Sequence, residues 1–111
     1  MKLLVVTYAL RNKFRDYTSF HVTVRGNALN WMQFFEQSYV VSTSHDADFF
    51  SKQLTPHMEP TDSLLVAEIQ PHQFQGWLPQ AAWDWLNSTS NVISPLNQIT
   101  SLWPSLPRLT K

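Results

Sequence analysis

Three basic residues alternate along a short polar segment near the N-terminus: Arg11, Lys13 and Arg15. Alternate side chains of an extended segment project to the same side, so these cations can converge on one ligand. Such groups bind phosphate, and Arg does so with planar, bidentate geometry. Phe14 lies among them and can stack on a nucleic-acid base. The segment predicts a site for RNA, DNA, a nucleotide or another phosphate-bearing ligand, with Tyr8 as a further contact. The alternative is a solvated loop whose charges pair with acidic residues of a neighbouring molecule.

Residues suited to catalysis do not form a recognisable motif. The four histidines are His21, His45, His57 and His72, and none is paired at the spacing of a helical metal site. His21 is expected on the outer face of a helix. The chain has no Cys, no Gly-rich phosphate loop and no Gly-x-Ser-x-Gly turn. We therefore expect no catalytic residue, no metal and no cofactor.

Composition indicates one domain with a substantial core. The chain has 111 residues, 43% of them hydrophobic, including five Trp and seven Phe. Its formal net charge is zero, which argues against bulk binding to nucleic acid or anionic membrane. The charge is uneven, because residues 1–30 carry five basic residues and one acid, whereas residues 31–87 carry one basic residue and seven acids. This asymmetry predicts one basic face.

No apolar segment reaches the length of a membrane helix, which is roughly 18 residues. The apolar run after Lys2 is short, and a basic segment follows it instead of a small-residue cleavage site. We expect a cytoplasmic protein without membrane contact.

The elements that must position the basic segment begin with a strand over residues 2–10. Its run from Leu3 to Val6 has no polar residue, which is typical of a central strand buried on both faces. Asp16 is a predicted N-cap for a helix whose buried face includes Phe20 and Val24. A strand interpretation of residues 21–24 stays open, because Phe20, Val22 and Val24 also alternate.

A hairpin is predicted next, over residues 30–35 and 38–43, which are rich in aromatic and β-branched residues. A second helix follows a hydroxyl cap in Ser42-Thr43-Ser44 and ends near Leu54, before Pro56. The last strand covers residues 63–70. This order predicts an α+β, ferredoxin-like βαββαβ fold with a four-stranded antiparallel sheet and both helices on one face.

A Trp-rich extension follows the last strand. Pro79 suits the first turn of a short helix that ends near Asn87, and its inner stripe would be Ala82, Trp85 and Leu86. Trp83 and Trp85 are two residues apart and cannot face the same way. One of them should contact a partner chain or remain partly exposed. Trp77, Trp83 and Trp85 could form an apolar lid over the open sheet face or a homodimer interface, and we expect the homodimer. Residues 1–87 would form the domain. Residues 88–111 would form an extended or partly disordered Ser- and Pro-rich tail, in which Trp103 anchors on a partner.

Several segments of residues 1–87 together resemble a family of small bacterial ferredoxin-like proteins labelled SinR-family. They are the first strand ending in Tyr8, Asp16-Tyr17, Trp31 through Ser38–Thr43, Leu64–Glu68 and Gly76-Trp77-Leu78-Pro79. That family is similar in fold to the VapD endoribonuclease toxins and to the small dimeric subunit of the CRISPR integration complex. The resemblance implies a bacterial or phage defence or toxin–antitoxin setting.

The resemblance also bears on catalysis. Relatives that bind or cut nucleic acid often carry an Asp at the end of the first strand, and this sequence has Ala9 there. The resemblance therefore implies a non-enzymatic, homodimeric binding protein. Two alternatives stay open: a metal-independent, VapD-like ribonuclease that uses Tyr8 or a His with Arg11 or Arg15, and an interaction module that docks a protein through the Trp residues and the tail.

Overall fold

The structure, a computed structural model, describes residues 1–93. The expectations for Trp103 and for residues 94–111 of the tail lie outside the described residues. The chain divides into two compact units, Met1–Gln70 and a second unit that begins at Pro71.

The first unit contains four strands and two helices in the predicted order. They are β1 (Lys2–Ala9), α1 (Thr18–Gly26), β2 (Asn30–Phe35), β3 (Ser38–Thr43), α2 (Ala47–Leu54) and β4 (Ser63–Ile69), with a short 3-10 turn at Thr55–His57 before β4. The strands form one antiparallel sheet in the order β2-β3-β1-β4. This confirms the α+β, ferredoxin-like fold.

Strand β1 lies inside the sheet, between β3 and β4. At its centre Val6 pairs with Tyr39 of β3 and with Val66 of β4. Side chains from β1, β3 and both helices form one core cluster, so the helices cover the same face of the sheet. The buried members are Leu4, Val6, Tyr8, Phe20, Val24, Tyr39, Val41, Phe50 and Leu54.

Helix α1 confirms the helical interpretation of this segment, with Phe20 and Val24 buried one turn apart. The helix starts at Thr18, so the N-cap position belongs to Tyr17 and not to Asp16 as expected. Asp16 still binds the helix start, because its Oδ1 accepts from the Thr18 backbone N–H at 2.9 Å. The hydrogen bonds from the Thr18 hydroxyl and backbone N–H lower the pKa of Asp16.

The cap of α2 also differs from the expectation. Asp46 is the N-cap residue, and its Oδ1 accepts from the Phe49 backbone N–H at 2.8 Å. The predicted hydroxyl cap is wrong because the Thr43 hydroxyl is used elsewhere. It donates to the Asn27 carbonyl at 2.9 Å and accepts from the His45 N–H at 3.1 Å.

The hairpin has its predicted bounds, with Glu36 and Gln37 in the turn. Its register shifts between Met32 and Phe35, so two residues of β2 face one residue of β3. Strand β2 lies at a sheet edge and exposes part of Trp31, Phe34 and Phe35.

The second unit contains helix α3, Gln80–Ile93, which starts directly after Pro79 as expected. The helix continues past the predicted end at Asn87, so residues 88–93 are helical and not extended. Its buried residues are Ala82, Leu86 and Ser90, which repeat every four positions. Trp85, expected in that stripe, is only partly buried. Within residues 1–93 no helix has the length and apolar character needed to cross a membrane.

Candidate functional site

The basic loop, residues 11–16, connects β1 to α1 and is bound to the segment that precedes β4. Asp62 makes this connection. Its Oδ1 accepts from the Arg11 backbone N–H, and its Oδ2 accepts from the Tyr17 hydroxyl and the Glu59 backbone N–H, each at 2.8 Å. We call these four residues the Asp62 cluster. Three donors on one carboxylate fix both ends of the basic loop against residues 59–62.

The Asp62 cluster favours the ionised carboxylate. Burial alone would raise the pKa of Asp62, but the backbone hydrogen bonds from Arg11 and Glu59, the Tyr17 hydroxyl and the charge of Arg15 lower it below its ordinary value. The pKa of Tyr17 shifts in the opposite direction. Burial and its hydrogen bond to Asp62 raise the pKa of Tyr17, so this phenol keeps its proton and stays a donor.

The Arg11 side chain is directed into the same segment. Its Nη1 donates to the Thr61 carbonyl and, at 2.8 Å, to the Ser63 hydroxyl. The backbone and the side chain of Arg11 therefore both bind residues 61–63. Arg11, which was predicted to bind phosphate, therefore helps to hold the basic loop in position.

Arg15 forms an ion pair inside the chain. Its Nη1 lies 2.5 Å from Glu59 Oε2, and its guanidinium carbon lies 5.4 Å from the centre of the Tyr17 ring. The hydrogen bond to Glu59 is the main cause of the raised pKa of Arg15. About a third of each charged side chain is exposed, 29% for Arg15 and 31% for Glu59, so solvent reaches the pair.

Lys13 and Phe14 form the exposed tip of the basic loop. Phe14 is 99% exposed, and Lys13 is exposed beside it. The turn beneath them is closed by Asn12, whose Oδ1 accepts from the Phe14 N–H at 3.0 Å and whose carbonyl accepts from the Arg15 N–H at 3.2 Å. A fully exposed Phe on a loop closed in this way is available for stacking against a ligand.

Tyr8 belongs to a separate cluster, on the helix-covered face of the sheet. It is only 7% exposed, and the Gln33 side-chain amide donates to its hydroxyl at 2.7 Å. Burial, with a smaller contribution from Tyr39, raises the pKa of Tyr8 to about 12. Tyr8 also lines a cleft of about 270 Å³ with Ser63, a hydrogen-bond partner of Arg11, but its hydroxyl is bonded to Gln33 and not to the Asp62 cluster.

His21 completes this second cluster. Its Nδ1 lies 2.8 Å from the Tyr39 hydroxyl, and its ring centre lies 5.7 Å from that of Tyr8. Burial first, and the charge of Arg25 second, lower the pKa of His21, which favours the neutral ring. The expectation of an outer-face His21 is wrong. Its position one turn after Tyr17, beside the buried stripe of α1, is the signal that could have placed it inward.

The other histidines of the first unit have local partners. His57 bridges the 3-10 turn to α1, with Nδ1 at 3.0 Å from the Ser19 hydroxyl and Nε2 at 3.3 Å from that of Thr23. His45 stacks on Phe49 with ring centres 3.9 Å apart. In the part of the chain that the structure describes, no three His, Asp or Glu side chains are grouped to hold a metal ion.

The expected interface tryptophans have different environments. Trp77 is 99% exposed. Trp83 stacks on Phe74 with ring centres 6.3 Å apart. The Trp85 indole nitrogen is buried without a hydrogen-bond partner among the described residues. Trp77 is thus the member that offers a free aromatic surface.

A cleft lies beside the Asp62 cluster. It has a volume of about 460 Å³, and Glu59 and Asp62 line it together with Ser51, Thr55, Met58, Pro60 and Leu64. Glu59, the ion-pair partner of Arg15, therefore borders an open cleft.

Comparison with protein families, with curated proteins and with solved structures finds no match.

Only two of the four predicted ligand residues, Arg11 and Arg15, are brought into one network. Glu59 and Asp62, which organise this network, were not predicted as site residues, because Pro60-Thr61-Asp62 is locally a turn signal. The available signal was the excess of acidic over basic residues in residues 31–87. It indicated that some of these carboxylates could pair with the cations of the basic loop.

Proposed function

We propose that this chain is a non-enzymatic binding protein that takes a single-stranded nucleic acid, or another phosphate-bearing ligand, at the tip of the basic loop. The observation that carries the proposal is the full exposure of Phe14, beside exposed Lys13, on a loop that Asp62 fixes at both ends. The setting would be a bacterial or phage defence or toxin–antitoxin system, as the family resemblance implies.

The exposed pair has the two chemical properties that such a ligand requires. An aromatic ring stacks on any base, which contributes about 1–3 kcal/mol per base. A Lys ammonium neutralises a neighbouring phosphate and releases its counterion. Since the Asp62 cluster already orders the loop, little conformational entropy is lost on binding.

The neighbouring groups support binding over cleavage. The family resemblance implies that Ala9, the last residue of β1, stands where nucleic-acid-cutting relatives of that family often carry an Asp. The hydroxyl of Tyr8 is buried and keeps its proton, because its pKa is about 12. Neither group is disposed to attack a phosphodiester at neutral pH.

Fluorescence anisotropy with labelled single-stranded RNA and DNA, at several salt concentrations, tests the proposal. Lys13→Ala should weaken binding several-fold and reduce the slope of log K against log salt by about 0.7. Phe14→Ala should weaken binding about 5- to 150-fold with the slope unchanged.

Two controls are available in the chain. Lys52→Ala removes an exposed Lys from α2, and Leu29→Ala removes a large apolar side chain that is 72% exposed. Neither should reduce the affinity as the loop variants do. Absence of binding by the wild-type chain at low salt, or equal losses in the controls, would contradict the proposal.

We also propose that the protein acts as a homodimer. Support comes from the 99% exposure of Trp77 and from the aromatic residues exposed on edge strand β2. Sedimentation velocity of the wild-type chain should give the mass of a dimer. Trp77→Ala should shift the mass towards a monomer, and a monomer at all wild-type concentrations would contradict this part of the proposal.

A metal-independent ribonuclease is the second candidate, favoured by the contact of His21 with Tyr39 beside Tyr8. Incubation with RNA, with and without chelator, distinguishes it from a binding protein. Cleavage that persists with chelator and is lost in His21→Gln would favour the enzyme, whereas intact RNA would favour binding alone. A third candidate, a protein-interaction module acting through residues 88–111, requires a partner that co-purifies with the full chain and is lost on removal of that segment.

A further inference from the structure

The Arg15–Glu59 pair differs from the other contacts of the basic loop. Arg11, Tyr17 and the Glu59 backbone share the Asp62 carboxylate, whereas the Arg15 side chain forms its ion pair with the side-chain end of Glu59, through Nη1 at 2.5 Å. A salt bridge this exposed contributes little to stability. The loop can therefore stay in position when this one pair opens.

We propose that Arg15 is a phosphate subsite which Glu59 fills in the free protein, so that ligand phosphate must displace the Glu59 carboxylate; this inference rests on the proposed function. A carboxylate and a phosphodiester present the same anionic oxygen to a guanidinium, and a phosphodiester can take both nitrogens of the fork. Glu59 thus occupies the subsite as an internal competitor.

The surroundings of Arg15 suit this exchange. The Tyr17 ring lies 5.4 Å from its guanidinium and supports the group from one side. Arg15 is two residues from Lys13 and adjacent to Phe14 in the chain. We expect a strand whose base stacks on Phe14 to bring a neighbouring phosphate towards this residue.

The displaced carboxylate also has a place to go. Glu59 lines the open cleft of about 460 Å³ beside the Asp62 cluster, so its side chain can rotate into solvent. Its backbone N–H meanwhile still donates to Asp62 at 2.8 Å. The exchange needs a change of side-chain rotamer and leaves the backbone unchanged.

Glu59→Gln tests the inference, because it removes the competing charge and keeps the size of the side chain. Binding of a labelled single-stranded RNA should tighten about five- to tenfold at low salt, and the slope of log K against log salt should steepen by about 0.7, because the phosphate contact of Arg15 is no longer offset by a displaced carboxylate. Arg15→Ala should have a small effect in the wild-type chain. In the Glu59→Gln background it should remove the whole gain.

Asp48→Asn is a closely matched control. It also neutralises an acid that pairs with a cation, since Asp48 lies 3.0 Å from Lys52 on exposed α2. This change gives the same net charge as Glu59→Gln but frees a Lys that is not in the basic loop. It should leave the salt slope unchanged.

The outcomes separate the inference from the proposed function. If wild-type protein binds RNA and Glu59→Gln binds no tighter, or gains affinity without Arg15, the inference is overturned and the proposed function stands. An equal gain in Asp48→Asn overturns it as well. If neither the wild-type chain nor Glu59→Gln binds at low salt, the proposed function fails and the inference fails with it. Denaturant unfolding of each variant confirms that it is folded.

Discussion

The hydroxyl of Tyr17 donates to Asp62 Oδ2 at 2.8 Å, although 45 residues separate them. Tyr17 lies at the N-cap of α1, and Asp62 directly precedes β4. The contact therefore joins the end of the basic loop to the start of an edge strand. Since the same carboxylate also binds the Arg11 N–H, one side chain contacts both ends of the loop.

Asp62→Ala should destabilise the protein by about 1–2 kcal/mol, because two backbone N–H groups and one hydroxyl lose their acceptor in a partly exposed site. Tyr17→Phe should have a smaller effect, since it removes one of the three donors. Urea denaturation measures both through the midpoint, with the m-value unchanged.

The control for this prediction is Asp48→Ala, which removes an exposed acid paired only with Lys52 at 3.0 Å. Its loss should be about 0.5 kcal/mol or less. A similar loss in both Asp variants would show that the Asp62 cluster contributes no more than a surface ion pair. Amide hydrogen exchange gives a local check, because only Asp62→Ala should accelerate exchange at Arg11 and Glu59.

Replacement of Tyr8 should change the stability at alkaline pH. The unfolded chain ionises Tyr near pH 10, whereas folding raises the pKa of Tyr8 to about 12. A raised folded pKa means that the stabilisation is fully present below pH 10 and is lost as the pH rises towards 12. The tyrosinate absorbance of the folded protein should show one residue that titrates near the top of this range, and Tyr8→Phe should remove it.

The other two tyrosines provide the comparison. Burial also raises the pKa values of Tyr17 and Tyr39, so none of the three should titrate at the ordinary value in the folded protein. In urea all three should return to a midpoint near 10. A Tyr8-dependent step near pH 10 in the folded protein would contradict the buried position of its hydroxyl.

Much of the fold was accessible from the sequence because its signals are local. The apolar run of β1, the aromatic and β-branched residues of the hairpin and Pro56 after α2 each act on neighbouring backbone. Helix α3 shows the limit of such signals. Residues 88–91 are poor helix formers, which favoured an end at Asn87, yet the helix continues through Ser90, which is buried.

The site was less accessible because its contacts join distant segments. The alternation of Arg11, Lys13 and Arg15 predicts three cations on one side only if the segment is extended. Asn12 closes a turn there, and Asp62 and Glu59 bind the loop from more than 40 residues away. No local sequence pattern indicates which carboxylates bind Arg11 and Arg15, because those contacts depend on how β1 and β4 pair.

Phe50→Ala should cost about 3–5 kcal/mol, because the side chain is 1% exposed and its removal leaves a cavity between α2 and the sheet. Phe14→Ala is the matched control. It makes the same truncation at a ring that is 99% exposed, so stability should change by about 0.5 kcal/mol or less. Denaturant unfolding of the two variants compares them, and equal losses would place Phe14 in a packed environment.

His21 should make the protein less stable in mild acid. Burial and Arg25 lower its folded pKa below the ordinary value of 6.5, so the unfolded chain binds the proton more readily. The stabilisation from a neutral His21 is present above pH 6.5 and is lost as the pH falls from there to the folded pKa. Protonation would add a positive charge near Arg25, in a ring that lies 2.8 Å from the Tyr39 hydroxyl.

His21→Gln should flatten this part of the curve of unfolding free energy against pH. His72→Asn is the control for the loss of an exposed His, at a positive φ of 64° that Asn tolerates. An unchanged slope in His21→Gln would show that His21 is not the group that titrates.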